Sequence, residues 1–185
     1  MTAVRFFELV DDMSVPGRWH LGTVEDSSGG EPRLLDAVRV KEAALHVAAV
    51  EAGTELDFCL TSFSVPIARN ALADVIASIG RGAVQAIPVA IPGHRGFKVL
   101  NVVGAISCLD ETRTRFTRWL ASDGRPDRVG TYRMVIDLRV LPSAIAPEKH
   151  VFRIEGWRVG LVVSEVVKDA MEAEGCIGAQ FIDVT

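Results

Sequence analysis

Residues 68–108 read ARNALADVIASIGRGAVQAIPVAIPGHRGFKVLNVVGAISC, and a change of hydrophobic period inside this stretch decides the fold class. Leu72, Val75, Ile76 and Ile79 recur at i, i+3, i+4 and i+7, which predicts a helix over about 68–79 with one apolar stripe. Gly80 and Gly82 are expected to stop it. The chain then turns to strand: residues 84–91 and 97–108 form two extended runs joined by Pro92-Gly93-His94-Arg95-Gly96. The second run is apolar on both faces, Val99 and Val103 opposite Leu100 and Val102, which predicts a central place in a sheet.

Upstream, Leu56, Phe58 and Leu60 alternate with Asp57, Cys59 and Thr61, the period of a half-buried strand. A first strand is expected over residues 4–9, with Phe7 and Leu9 on the face of Arg5, and Val4 and Phe6 on the other. Pro16-Gly17 and EDSSGGEP at 25–32 favour turns and leave Trp19, His20 and Leu21 as a short extended piece. Downstream, residues 110–130 are polar and Arg-rich around Phe116, Trp119 and Leu120, the largest surface excursion expected. Tyr132, Met134, Ile136, Leu138 and Val140 then alternate with polar residues as an antiparallel strand that Pro142 ends. Strands at 152–154 and 157–163 flank the turn at Glu155-Gly156. Ser164 suits the N-cap of a second helix, about 165–174, with Val167, Ala170 and Met171 on one face and Gly175 closing it. Residues 179–184 are the last strand. The fold class is therefore α+β, a mostly antiparallel or mixed sheet with two principal helices.

At a constant offset of 95 residues, Asp74, Gly80, Gln85, Ile87 and Val89 match Asp169, Gly175, Gln180, Ile182 and Val184. Both regions have the order strand, helix, Gly, strand. The matches are few enough to fit either a repeat or two unrelated but similar units.

The chain has 185 residues, 49% hydrophobic and 24% charged, which excludes disordered, collagen-like and coiled-coil classes. One full-size core is available at this length, as one domain over 1–185 or as two tightly packed lobes, about 1–110 and 111–185. Cys59, Cys108 and Cys176 form no CxxC pair and have no His at ligand spacing, so a disulfide scaffold and a zinc finger drop out. Residues 1–12 mix Arg5, Glu8, Asp11 and Asp12 into their apolar positions, unlike a secretory leader, and no uncharged run is long enough to span a bilayer. A cytoplasmic, reduced location is the expectation. A net charge of −4 argues against nucleic acid or an anionic membrane as main partner.

Catalytic signatures are sparse. There is no G-x-S-x-G elbow, and Gly80-Arg81-Gly82 follows a helix rather than preceding one, so it would meet carbonyls instead of phosphate-binding amides. His20, His46, His94 and His150 are scattered singly, without metal-ligand spacing. Cys59 shares a strand face with Asp57 and Thr61 and is the thiol best placed to reach solvent, although a buried, inert cysteine is the commoner case. The acidic pairs have the character of solvated turns. Residues 113–133, by contrast, hold six arginines against two aspartates and include Phe116 and Trp119. Arg and aromatic residues are enriched at protein–protein hot spots. The same segment also fits a solvated hairpin whose Trp covers its own strand.

Several strings occur together and in order: Pro16-Gly17-Arg18-Trp19-His20-Leu21-Gly22, Leu56-Asp57-Phe58 to Val65-Pro66, Leu100-Asn101-Val102-Val103 leading to Cys108-Leu109-Asp110-Glu111, residues 123–134 (DGRPDRVGTYRM), and Phe152-Arg153 through Gly156-Trp157 to Val163-Ser164-Glu165. The ordered set resembles a family of small bacterial immunity proteins of polymorphic toxin systems, abundant in myxobacteria and formerly a domain of unknown function. The resemblance runs from about residue 4 to 184 and departs from the pattern mainly over 26–50. It implies a non-enzymatic protein that binds and neutralises a cognate protein toxin encoded nearby, with no catalytic residue, metal or cofactor.

The expected partner-binding residues are Arg115, Arg118, Trp119, Arg125, Asp127 and Arg128. Arg125-Pro126-Asp127 also fits a structural turn in which Asp127 would bond backbone amides. The alternative function is a small-ligand module or enzyme whose site is assembled from distant residues; it requires at least two of His20, Cys59, His94 and Arg133 to converge in a pocket. Homo-oligomerisation stays open.

Overall fold

The computed structural model describes residues 4–41 and 44–185. Its strands and helices are β1 (Phe6–Asp11), β2 (His20–Asp26), β3 (Leu45–Glu51), β4 (Phe58–Leu60), β5 (Pro66–Arg69), α1 (Asn70–Gly80), β6 (Val84–Ile91), β7 (His94–Val102), β8 (Ala105–Ile106), β9 (Arg115–Arg118), β10 (Tyr132–Ile136), β11 (Val151–Ile154), β12 (Trp157–Ser164), α2 (Glu165–Ala173) and β13 (Ala179–Asp183). They build a six-stranded sheet ordered β2-β3-β6-β7-β5-β4, a five-stranded sheet ordered β13-β1-β12-β11-β8, and the separate pair β10-β9. Neighbours are antiparallel except β3 with β6 and β11 with β8, so the fold is α+β with mixed sheets. Among the described residues no helix is long and apolar enough to cross a membrane.

The 95-residue offset reappears in the strand register. β5 and β6, joined by α1, lie on either side of β7, and β12 and β13, joined by α2, lie on either side of β1. Ile67 and Ile87 flank Val99; Val162 and Ile182 flank Glu8. The offset that relates Ile67 to Val162 and Ile87 to Ile182 also relates the N-cap Arg69 of α1 to the N-cap Ser164 of α2. The two units are thus the same strand-helix-strand arrangement. They differ in the middle strand, which follows the first unit in the chain and precedes the second.

α1 and α2 pack against each other, and one apolar cluster joins them to a face of each sheet: Leu72, Ile76, Val167 and Met171 meet Ala68, Leu100 and Val102 from one sheet and Phe7, Leu161 and Val163 from the other. The opposite face of each sheet is covered by its own loops. Trp19, Leu34 and Leu56 cover the six-stranded sheet, while Cys108, Leu109, Leu138, Val140 and Ile145 cover the five-stranded one. Arg153, wholly buried on β11, donates to the carbonyls of Val159 (2.9 Å) and Ser64 (3.2 Å), tying the five-stranded sheet to the β4–β5 turn. Burial pushes its pKa down to about 10, so it stays charged at neutral pH.

Several local expectations change. β7 is central, but α1 ends with Arg81, not a glycine, in the left-handed region at φ 45°, followed by Gly82 at φ 86°. The segment over 45–51, given no element above, is β3, and the piece around Trp19 extends into β2 because both pair along the sheet edge. Ser164 caps α2 by position only; its hydroxyl pairs with His150 Nδ1 at 2.9 Å. Cys59 is not the accessible thiol. Both faces of β4 are covered, Phe58 by Phe7 and Leu9 and Cys59 by Trp19 and Leu21, and burial together with Asp11 pushes the Cys59 thiol up to about 12.

Met171, at the centre of the joint cluster, should be costly to truncate, whereas Val166 on the exposed face of α2 should not. Met171→Ala is expected to lose about 2–5 kcal/mol in urea unfolding, and Val166→Ala to stay within about 0.5 kcal/mol of the parent.

Candidate interaction surface

The excursion is a hairpin on a clamped base. Leu109 bridges Val140, the Asp110 amide donates to Arg139 O (2.9 Å), and the Leu141 amide donates to Cys108 O (2.7 Å). Asp110 holds the turn that leaves this base. It accepts the Thr112 amide (3.0 Å) and hydroxyl (2.7 Å), the Arg113 amide (3.3 Å) and Arg113 Nε (2.6 Å). Those bonds, the Thr112 hydroxyl first, hold its carboxyl at about 2. Arg113 continues to Val140 O (3.0 Å) and Thr185 O (3.3 Å), which anchors the base to the chain end.

β9 and β10 pair Ile136 with Arg115, Val135 with Phe116, Met134 with Thr117 and Tyr132 with Arg118; a bulge lies between Tyr132 and Met134. The extra residue reverses side-chain parity. Phe116, Tyr132 and Val135 therefore pack on the outer core of the five-stranded sheet, and Met134 and Ile136, expected to be buried with Tyr132, are exposed. Phe116 and Tyr132 meet edge to face at 5.1 Å. The β11–β12 turn admits the ring because residue 156 is glycine, at φ 78°; a Cβ there would lie 3.1 Å from Tyr132.

Most of the arginines carry a partner. Arg115 pairs with Asp137 (Nε 2.9 Å), Arg125 with Asp127 (3.2 Å), Arg128 with Asp127 (3.8 Å) and Arg133 with Asp123 (3.1 Å). Arg118 pairs with Glu111, donates to Gly130 O and stacks 4.6 Å from the Tyr132 ring, on the core-facing side of the hairpin. Burial, followed by Glu111, raises the Tyr132 phenol, which donates to Glu111 at 2.5 Å. Trp119 lies under two guanidinium groups, Arg133 at 4.9 Å and Arg128 at 5.7 Å.

The structure thus gathers Trp119 and Arg128 into one stack, places Arg115 on the outward side of β9, and turns Arg118 towards the Tyr132 side. Arg125 and Asp127 form their own pair at the tip. Asp127 bonds arginine side chains, not the amides of neighbouring residues that a structural turn would use. The acids Asp110, Glu111 and Asp137, just outside residues 113–133, offset much of the arginine charge.

Of the residues of the assembled-site alternative, His94 and Cys59 both border the buried Trp19. His94 bonds Glu55 (2.5 Å) and meets Trp19 edge to face at 4.8 Å; His20 faces Glu51 at 3.7 Å; Cys59 is enclosed; Arg133 is on the hairpin. Two surface pockets, one between residues 31–36 and Phe63 and one between residues 80–83 and Lys149, are lined by none of the four. The Cys108 and Cys176 thiols, like that of Cys59, are pushed up, to about 11 and about 12, principally by burial. Among the described residues no group of three or more His, Cys, Asp or Glu side chains is placed to hold a metal ion.

Compared with known families, residues 69–185 match the model described as Immunity protein family (Imm11). The matched span starts at the N-cap of α1 and includes the whole hairpin. No curated protein matches the chain.

Asp127 and Asp110 separate display from support. Asp127→Ala removes an exposed ion pair and should leave folding stability within about 0.5 kcal/mol of the parent in denaturant titration. Asp110 has a depressed folded pKa, so its contribution is complete above its ordinary value of 3.8 and is lost as pH falls through about 2. Melting temperatures recorded from pH 6 to 2 should fall on this acid limb, and Asp110→Asn should make the limb shallower.

Proposed function

The chain belongs to the Imm11 immunity protein family, and on that premise we propose that it binds and neutralises a cognate bacterial toxin encoded nearby. It does so as an antitoxin without a reaction of its own, either by covering the toxin's active site or by holding the toxin in an inactive conformation. It acts in the cytoplasm of the producing cell, in the competition between bacteria that polymorphic toxin systems serve. The observation that carries this reading is the family match over 69–185.

The hairpin geometry supports a binding role. Ion pairs and ring stacks hold the Arg115, Trp119, Arg125 and Arg128 side chains, so less rotamer entropy remains to be lost on association. Arg118 backs them through Glu111 and Tyr132, and Asp127 holds two arginines at the tip. The core beneath the hairpin is continuous with the five-stranded sheet, so the displayed side chains rest on a packed support.

The direct test is co-expression with the neighbouring gene, followed by co-purification and a growth assay. The expected outcome is that the neighbour arrests growth alone, that this chain restores it, and that the two co-purify. A toxic neighbour that is neither bound nor counteracted would reject the assignment for that pair.

A further inference from the structure

The outward face of the β9–β10 hairpin has an apolar centre with nothing packed on it. Met134 is 47% and Ile136 40% exposed. A solvent-facing row of this kind is unusual in a strand whose other face is buried. The bulge creates it by turning Met134 and Ile136 away from the core that holds Val135. Trp119 and its two guanidinium groups border the row on one side and Arg115, paired across from Ile136, on the other.

Charge indicates what fits there. The groups bordering this face are the arginines at 115, 125, 128 and 133 and the aspartates at 123, 127 and 137, a net of +1, while the whole chain carries −4, so the remainder carries −5. An acidic partner is attracted to this face and repelled by the rest of the molecule. A second copy docking the same face on itself would oppose arginine to arginine, because a two-fold contact uses the same patch on both subunits.

Resting on the immunity reading above, we propose that this face is the toxin-binding surface. Met134 and Ile136 form its desolvated centre, Arg115, Arg128 and Arg133 form its rim, and the occupant is an apolar patch edged with carboxylates on the cognate toxin. This arrangement matches the anatomy of tight interfaces, an apolar centre sealed by polar groups with Arg and Trp as anchors.

The probe is the catalytically inactivated product of the neighbouring toxin gene, titrated calorimetrically against the full chain. The double variant Met134→Glu, Ile136→Glu places two carboxylates in the centre, at positions exposed enough to leave the melting temperature within about 2 °C. Its affinity should fall by about 100-fold or more. Val50→Glu, at an exposed site on β3 in the other sheet, should bind within about two-fold of the parent. Association should also slow as salt rises from about 50 to 500 mM. Undiminished binding by the double variant, or equal loss with Val50→Glu, overturns this face while leaving the immunity reading intact. Absence of binding by the unmodified chain overturns both.

Discussion

Contact between α1 and α2 is the constraint from which the remaining architecture follows. Each helix covers a three-stranded unit, and neither unit alone encloses its apolar face. Pressed together, the helices merge the two faces into one cluster in which Met171 and Ile76 are removed from water along with Phe7 and Leu100. At roughly 25 cal/mol per Å² of apolar surface, a shared cluster of this kind stabilises the pair far more than either ladder of strand hydrogen bonds. Arg153 adds a directional element to this non-directional attraction, since its buried guanidinium must satisfy carbonyls on both sides of the junction.

With the inner faces occupied by helices, the outer faces must be covered by loops. The five-stranded sheet recruits residues 106–109 and 138–145 for this purpose, and the hairpin is what lies between those two segments. Its position is therefore a consequence of core closure. Asp110 and Arg113 convert that position into a fixed orientation, because their bonds join the turn, the Val140 carbonyl and the chain end. A projecting two-stranded ribbon is marginal by itself. Here Phe116, Tyr132 and Val135 bind it to the sheet beneath, and Gly156 leaves room for the tyrosine ring.

The arginines of the hairpin do not act as a cloud of free charge. Asp137, Asp123, Asp127 and Glu111 each hold one or more of them, and the rings of Trp119 and Tyr132 hold others from above. Exposed pairs of this sort contribute little to stability. What they supply is orientation. An arginine already aligned can exchange or share its carboxylate with an incoming acid without first being ordered.

Periodicity alone determined much of this protein. The switch from the helical spacing of Leu72, Val75, Ile76 and Ile79 to the two-faced apolar run around Val99 gave the α+β class and the central strand, because buried elements must repeat their apolar residues at the backbone's own period. The 95-residue offset was also present as scattered identities, and the register of Ile67, Val99 and Ile87 against Val162, Glu8 and Ile182 gave it structural meaning. Tertiary structure decided the rest. Cys59 shares its alternation with Asp57 but is enclosed, since Trp19 and Leu21, from a segment well upstream, cover its face of the sheet. Met134 and Ile136 alternate with polar residues as core positions do, yet one bulge turns them outward. The arginine excess of residues 113–133 is offset by Asp110, Glu111 and Asp137, which a window drawn on the sequence leaves outside. Local pattern specifies which residues prefer to be buried; only the packing of distant segments determines which of them find a partner and which remain on the surface.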